Sequence, residues 1–206
     1  MSPDMKRTGI LIAFEGIDGT GKSTQISLLA DWLRQQGYDV VVTREPTNGV
    51  YGQRIRRLYQ ARDSVSRQEE LDLFLADRQE HVEQLIAPAL AEGKIVLTDR
   101  YYYSTAAYQG VHGFDPAAII RQNEAFAPVP DLVILINIRP EDAVMRIERY
   151  RQEELNHFEQ EEGLRQVAKV FADLTNDCIR RVDGSEPVDV VHGRVVAEVM
   201  ESGILL

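Results

Sequence analysis

A run of eight residues near the start of the sequence has the types and spacing that bind phosphate. Residues 16–23 read GIDGTGKS and fit the pattern G-x-x-x-x-G-K-[ST], the P-loop. The glycines let the backbone wrap around an anion and point N–H groups at its oxygens, and the helix that follows places its positive end there. Lys22 adds a positive charge between two phosphates, and Ser23 offers a hydroxyl to Mg²⁺. The residues predicted to bind a nucleoside triphosphate are Gly16, Asp18, Gly19, Thr20, Gly21, Lys22, Ser23 and Thr24.

Charged residues also follow two other apolar segments. Arg44 comes directly after DVVVT at 39–43, and Asp99 and Arg100 follow KIVLT at 94–98. Arginine donates paired N–H groups to phosphate oxygens, and a carboxylate holds Mg²⁺ directly or through water. A single arginine at a strand end is usually part of a surface salt bridge. Two arginines, a carboxylate and a P-loop at one edge of a sheet instead favour an anion-binding site with a metal.

Other residues have the types expected of a nucleobase pocket. Phe74 and Arg78 lie four residues apart in a helical stretch, so their side chains share one face. A ring that stacks on a base, beside a guanidinium that donates to a base carbonyl, would form such a pocket. A core phenylalanine below a solvated arginine gives the same pattern. Further along the chain, Ser104, Tyr108 and Gln109 offer hydroxyls and an amide that can contact a sugar or a base.

Short apolar segments alternate with longer amphipathic ones along the chain. The predicted strands are 10–14, 39–43, 94–98, 132–138 and 179–182, and the predicted helices are 22–36, 68–90, 165–177, 186–202 and one that begins at Pro140. This alternation predicts an α/β fold of the P-loop NTPase kind, a three-layer sandwich whose five-stranded parallel sheet has helices on both faces. We expect a single domain over residues 1–206. Such sheets bind ligands at the carboxyl ends of their strands, where the residues named above fall.

The composition excludes several classes of protein. Lys plus Arg total 23 and Asp plus Glu total 33, for a net charge of −10. A surface this acidic disfavours binding to nucleic acid or anionic lipid, so any anionic ligand must be held by local positive charge. The one cysteine, Cys178, cannot form a disulfide within the chain. No apolar run is long enough to cross a membrane, and we expect a cytoplasmic protein with no membrane or nucleic-acid partner.

Several motifs together resemble the thymidylate kinase (dTMP kinase) family. They are FEGIDGTGKST at 14–24, TREP at 43–46, the pair Phe74 and Arg78, PAL at 88–90, TDRYYYSTAAYQG at 98–110 and PDLVILINI at 130–138. Their order and spacing agree with the family from about residue 10 to 182. The resemblance implies transfer of the γ-phosphoryl group of ATP to the 5'-phosphate of dTMP, giving dTDP and ADP with Mg²⁺ as cofactor. It also implies a homodimer, for which the stretch 68–90 fits a dimer seam and a core-facing helix equally well.

The resemblance also implies roles for the residues around the acceptor. Asp18 would contact the 3'-hydroxyl of dTMP, and Tyr108 would lie against the 2' carbon and disfavour a ribose. Phe74 would stack on thymine, and Arg78 would donate to a base carbonyl. Arg44 and Arg100 would hold the acceptor phosphate. Ser104 and Gln109 would make further contacts with the base. Asp99 would help to hold Mg²⁺ together with Ser23.

A mobile lid is expected at about 146–162, after the fourth strand. Members of the family with no arginine inside the P-loop supply one from this lid, where their usual sequence is Leu-Asp-Arg-Phe-Glu. The present chain has Leu-Asn-His-Phe-Glu at 155–159, so His157 stands where that arginine is expected. A substitute arginine, a slow enzyme or a different pair of substrates would each be consistent with the change. We favour Arg149 or Arg151 as the substitute, so the predicted catalytic residues are Lys22, Asp99, Arg100, Arg149 and Arg151.

Two alternatives remain open on the sequence alone. A kinase for another nucleotide or for a nucleoside would need a different acceptor site. A nucleoside kinase would also need a carboxylate base, and Glu15, directly before the P-loop, could fill that role. The pair Arg44 and Arg100 favours an acceptor that already carries phosphate. A non-catalytic nucleotide-binding module is supported only by the altered lid.

Overall fold

A five-stranded parallel sheet forms the centre of the computed structural model, which describes residues 8–59, 65–151 and 161–205. The strands lie in the order β2-β3-β1-β4-β5. In chain order they are β1 (Ile10–Glu15), β2 (Val40–Arg44), β3 (Ile95–Asp99), β4 (Leu132–Asn137) and β5 (Ile179–Asp183). All four neighbouring pairs are parallel. The predicted fold class is confirmed, and each predicted strand is present to within one residue at either end.

Helices cover both faces of this sheet. They are α1 (Lys22–Gln35), α2 (Val50–Leu58), α3 (Arg67–His81), α4 (Ala87–Ala91), α5 (Tyr102–Gly110), α6 (Pro116–Glu124), α7 (Pro140–Arg151), α8 (Glu161–Asp173) and α9 (Val188–Glu201). Alternate residues of β1 point to opposite faces, as a strand requires. Leu11 and Ala13 pack with α5 and α8, whereas Ile12 and Phe14 pack with α1 and α9. The sheet is therefore the middle of three layers, with one apolar core on each side.

The long helix predicted over 68–90 is divided in the structure. α3 ends at His81, a π-helical segment runs over Val82–Ile86, and α4 follows. In the π-helical segment the N–H of Ala87 donates to the carbonyl of Val82, five residues earlier. Pro88 comes next and has no N–H with which to continue the α-helical pattern. The widened turn therefore lies directly before Pro88.

Other helix boundaries also differ from the prediction. α8 begins at Glu161 and ends at Asp173, four residues earlier at each end than the predicted 165–177. α2 and α6 were not predicted at all. Within the described part of the chain, no helix is both long and apolar enough to cross a membrane.

The sheet brings the predicted functional residues to one edge. Phe14, at the end of β1, pairs with Asp99 of β3, and Asp99 pairs with Arg44 of β2 on its other side. The P-loop leaves the end of β1 at the same edge. Three adjacent parallel strands thus deliver the phosphate loop, the carboxylate and an arginine to neighbouring positions, as predicted.

Candidate active site

A cavity of about 1000 Å³ runs along the carboxyl ends of these strands. Residues 18–24 line one part of it, whereas Gly16, the first residue of the P-loop, is not among the lining residues. The cavity is also lined by all the residues predicted at the acceptor side: Arg44, Phe74, Arg78, Asp99, Arg100, Ser104, Tyr108 and Gln109. The structure therefore brings the predicted triphosphate site and the predicted acceptor site into one space.

The P-loop is held in a shape that only glycine permits at its key positions. Gly19 has a φ of +80°, and a Cβ there would lie 2.6 Å from the carbonyl oxygen of Ala143. Inside the loop, the Lys22 ammonium donates to the carbonyl oxygens of Ile17 at 2.8 Å and Gly16 at 3.2 Å. Burial lowers the pKa of Lys22 to about 8, and the positive charge of Arg100 adds to this effect. An anion beside Lys22 would stabilise its charged form, which makes the loop receptive to phosphate.

A hydroxyl and a carboxylate meet at the start of α1. The Ser23 hydroxyl donates to Oδ2 of Asp99 at 2.5 Å, and both residues line the cavity. In the described residues, no group of three or more His, Cys, Asp and Glu side chains could hold a metal. A hydroxyl and a carboxylate are oxygen ligands that Mg²⁺ accepts, so the pair fits an ion that takes its other ligands from water and phosphate oxygens, the usual pattern for this hard cation.

Arg100 is the centre of a partly buried polar network. Its φ of +70° is unusual for a residue with a side chain. Its guanidinium donates to Asp18 Oδ1 at 2.9 Å, to the Ser104 hydroxyl at 2.8 Å and to the Tyr108 hydroxyl at 3.2 Å. The Tyr108 hydroxyl in turn donates to Asp18 Oδ2 at 3.0 Å.

This network fixes the charges beside the P-loop. Burial alone would raise the pKa of Asp18, but Arg100 and Lys22 outweigh it and hold the pKa below its usual range. Burial would likewise lower the pKa of Arg100, which Asp18 instead raises. Asp18 and Arg100 are therefore both charged at neutral pH. Because Asp18 belongs to the P-loop, the pair links the two predicted sites directly.

Glu15 lies outside the cavity lining and anchors α5. One oxygen of its fully buried carboxylate accepts from the backbone N–H groups of Tyr101 at 2.9 Å and Ser104 at 3.1 Å, and the other accepts from the Ser104 hydroxyl. Burial raises its pKa to about 7, although the hydrogen bonds of Ser104 and the charge of Arg100 oppose this. Both oxygens already have donors, so Glu15 is poorly placed to act as the base of a nucleoside kinase.

At the base end of the predicted pocket, Arg78 is buried and is not a solvated arginine. Phe74 is half-buried and lines the cavity. Arg78 is 1 % exposed, and its guanidinium donates to Glu45, Asn123 and Thr105. The interpretation of Arg78 as a solvated residue above a core phenylalanine is therefore wrong.

The two polar residues predicted at the base end differ in how they are bonded. The Ser104 hydroxyl is already engaged, since it donates to Glu15 and accepts from Arg100. In contrast, both amide atoms of Gln109 are buried and have no hydrogen-bond partner among the described residues. Leaving a buried amide without partners is unfavourable, so Gln109 is well suited to receive a polar ligand.

Two arginines that line the cavity, Arg56 and Arg146, were not among the predicted site residues, although Arg146 lies at the start of the predicted lid. Arg56 of α2 donates to the carbonyl oxygens of Pro46 at 2.9 Å and Thr47 at 2.5 Å, and so fixes the loop after β2. Arg146 of α7 donates at 2.9 Å to the carbonyl oxygen of Gly184, and both residues line the cavity. Prediction of α2 would have pointed to Arg56, because its arginines then fall on a helix close to the predicted phosphate edge.

The predicted lid arginines are only partly described. Arg149 lies on α7 with an exposed side chain. The side chain of Arg151 and the substituted pair Asn156-His157 lie outside the described residues. Arg44 is exposed at the rim of the cavity, next to Asp99.

A P-loop between the first strand and helix of a parallel sheet, with a partly buried arginine network beside it in one cavity, defines a P-loop nucleotide kinase. Comparison with known proteins identifies the family. The family model for thymidylate kinase matches residues 14–195. The chain belongs to the thymidylate kinase family, and the predicted resemblance is confirmed.

Individual relatives agree along nearly their whole length. A thymidylate kinase of Desulfotalea psychrophila is 52% identical over 193 residues, which cover 94% of this chain and 95% of the relative. A thymidylate kinase of Akkermansia muciniphila is 46% identical, with 95% and 93% covered. A thymidylate kinase of Xanthomonas campestris is 44% identical, with 96% and 87% covered.

Proposed function

We propose that this chain transfers the γ-phosphoryl group of ATP to the 5'-phosphate of dTMP, giving dTDP and ADP. One observation carries the proposal beyond family membership: Asp18 belongs to the P-loop and is bonded to Arg100 and Tyr108 of the acceptor side. Asp18 therefore belongs to both the donor site and the acceptor site. Two anionic substrates can approach each other there beside the cations Lys22 and Arg100.

The reaction needs positioning and charge neutralisation more than proton transfer. An ionised oxygen of the dTMP phosphate attacks the γ-phosphorus of ATP, and the bond from this phosphorus to the bridging oxygen of the β-phosphate breaks. The electron pair of that bond leaves with ADP. Lys22 and Arg100 offset the charge that gathers around the transferred group. The attacking oxygen carries no proton, so no base is required, and this agrees with the engagement of Glu15 elsewhere.

We propose Mg²⁺ as the cofactor, held by Ser23 and Asp99 together with phosphate oxygens and water. When bound, the ion neutralises phosphate charge and orients the triphosphate. The protein's part is to keep a hydroxyl and a carboxylate oxygen together at the start of α1.

At the base end, we propose that Phe74 stacks on thymine and that Arg78 and Gln109 bond its polar edge. Support comes from the unpaired amide of Gln109 and from the unpaired Nε of Arg78, both beside the cavity. We propose that Tyr108 lies against the sugar, and the hydrogen bonds of its hydroxyl with Asp18 and Arg100 support this. Arg44 and Arg100 are proposed to hold the acceptor phosphate.

We propose that a lid at about 146–162 supplies the missing arginine from Arg149 or Arg151. Arg149 lies on α7 at the start of this segment, and its side chain is exposed. Replacement of either residue by alanine should lower kcat far more than it raises the KM for dTMP. Steady-state kinetics with both variants at the wild-type kcat would refute the substitution.

The single domain, the homodimer and the cytoplasmic location remain proposals based on the family resemblance and on composition. In the stretch 68–90, Leu71, Leu73, Val82, Ile86 and Leu90 are buried within the chain, whereas Phe74, Leu75 and Leu85 are partly exposed. A dimer seam and a core-facing helix therefore both stay open for this stretch. Light scattering of the purified protein would measure its oligomeric state directly.

A panel of acceptors tests the proposed reaction. ADP formation should be fastest with dTMP and much slower with dUMP, dCMP, dGMP or thymidine. Preference for thymidine would show that the acceptor site does not require phosphate. The absence of ADP formation with every acceptor would leave a nucleotide-binding protein without this activity.

A further inference from the structure

The guanidinium of Arg78 is held by residues from three separate elements. Its Nη1 donates to Asn123 Oδ1 at 2.6 Å, and its Nη2 donates to Glu45 Oε2 at 2.5 Å and to Thr105 Oγ1 at 3.0 Å. The same guanidinium lies over the ring of Tyr101, with its central carbon 5.2 Å from the ring centroid. Nε is the one guanidinium nitrogen that has no partner among the described residues. Both Nη groups are thus fixed, and Nε is left for a ligand.

Asn123 holds this arrangement from outside the cavity. It lies on α6, is fully buried and is absent from the cavity lining. Its Nδ2 donates to the carbonyl oxygen of Ile119 at 2.8 Å, which leaves Oδ1 facing Arg78. Rotation of the amide by a half-turn would place its NH₂ group against the guanidinium and lose both bonds. The orientation of Asn123 is therefore set by its own helix.

The charge of Arg78 is balanced by the carboxylate of Glu45. The neutral amide of Asn123 therefore affects only the orientation of the guanidinium. Burial would raise the pKa of Glu45, but Arg78 and a hydrogen bond from His81 hold it below its usual value. His81 Nδ1 lies 3.0 Å from the second oxygen of Glu45, and its Nε2 lies 2.7 Å from the Thr43 hydroxyl. Glu45 and Arg78 thus form a buried ion pair in which Asn123 takes no part.

We propose that Asn123 is a positioning residue for base recognition: it fixes the plane of the Arg78 guanidinium so that Nε faces the thymine ring. The inference rests on the proposed function, in which Arg78 bonds a base carbonyl. Without the acceptor from α6, the guanidinium can turn about its bond to Glu45, and Nη1 loses its buried partner. This change should weaken binding of the base and should not affect binding in the rest of the cavity.

The test compares a substrate that has a base with a probe that has none. Asn123→Leu keeps the size of the side chain and removes the acceptor oxygen. It should raise the KM for dTMP about tenfold, the effect of losing one well-placed hydrogen bond to a charged group. The KM for ATP and the inhibition constant of 2-deoxyribose 5-phosphate should stay within about twofold of wild type, because neither ligand contacts Arg78. Asn123→Asp restores an acceptor for Nη1 but loses the donor to Ile119, so its KM for dTMP should lie between those of Asn123→Leu and the wild type.

Ile120→Val is the matched control, since it removes one buried methyl group from α6 and no bond to Arg78. It should lower the Tm slightly, with no change in the KM for dTMP. If Asn123→Leu does not fold, Asn123→Ala removes the same oxygen and carries the same expectation. An unchanged KM for dTMP, or an equal rise for dTMP and for the base-free probe, would overturn the inference. Failure of the wild-type protein to phosphorylate dTMP would instead overturn the proposed function.

Discussion

Glu15→Gln separates the anchoring role of Glu15 from the role of a catalytic base. The structure gives Glu15 a folded-state pKa of about 7, against 4.5 for an ordinary glutamate, because it is buried. A folded pKa above the unfolded one means that the protonated form favours the folded state. The stabilisation is therefore complete below pH 4.5 and is lost as the pH rises through 7. The shift corresponds to about 3 kcal/mol in total, of which about 2 to 3 kcal/mol falls between pH 5 and pH 8.

The measurement is urea unfolding of the wild type and the variant at about pH 5 and about pH 8. The free energy of unfolding of the wild type, taken relative to Glu15→Gln, should fall by about 2 to 3 kcal/mol from the lower to the higher pH. Other groups that titrate in this interval are present in both proteins and cancel. Glu69→Gln is the matched control, because Glu69 is exposed in the capping box of α3 and its pKa is lowered. Its difference from the wild type should be the same at both pH values.

The same variant tests the reaction. Glu15→Gln should keep kcat for dTMP within about tenfold of wild type, since the acceptor oxygen carries no proton to remove. Equal free-energy differences at the two pH values would refute the burial argument. A loss of several powers of ten in kcat, with the fold intact, would make Glu15 a catalytic residue and reopen the nucleoside kinase alternative.

Three further substitutions test the cavity. Lys22→Ala should abolish phosphoryl transfer, by more than about a thousandfold, and leave the Tm nearly unchanged, because the ammonium bonds mainly carbonyls of its own loop. Gly19→Ala places a Cβ 2.6 Å from the carbonyl oxygen of Ala143, so it should raise the KM for ATP and lower the Tm. Gly37→Ala is the control, because Gly37 has a similar φ and nothing lies within 4 Å of the added Cβ. It should leave the KM for ATP unchanged. Gln109→Leu removes a buried amide that has no partner among the described residues, so it should raise the Tm while weakening dTMP binding about tenfold. A stabilised variant that binds dTMP normally would show that Gln109 does not contact the base.

The sheet and the P-loop were predictable because their signals are local. Short runs of β-branched residues identify buried strands, and the spacing of glycines and Lys22 identifies the loop. The position of Asp99 beside the P-loop strand also followed from these signals, and the pairing of Phe14 with Asp99 agrees with it. α6 could have been predicted as well. Asp115 accepts from the backbone N–H of Ala117 and Pro116 opens the helix, an N-terminal signal visible in the sequence.

α2 was hidden for a physical reason. Gly52 weakens its helical pattern, yet a Cβ at this position would lie 2.0 Å from the carbonyl oxygen of Thr47. The glycine is required by the close approach of the loop after β2, and such an approach cannot be seen from local spacing.

The surroundings of Arg78 and Glu15 depend on contacts between distant parts of the chain. Arg78 forms hydrogen bonds with Glu45, Thr105 and Asn123, which lie 33, 27 and 45 positions away from it in the sequence. Glu15 is bonded to Tyr101, 86 positions away. Sequence patterns identified both residues as candidates for chemistry. Their burial, which decides what each can do, depends on how α3, α5 and α6 pack on the sheet.

Isothermal titration of dTMP into the protein, with and without a saturating non-hydrolysable ATP analogue and Mg²⁺, tests the central claim most directly. One cavity with fixed cations between two sites predicts that one dTMP binds per chain in both cases and that the analogue remains bound. Displacement of one ligand by the other, or the absence of any heat of binding for dTMP, would contradict the account.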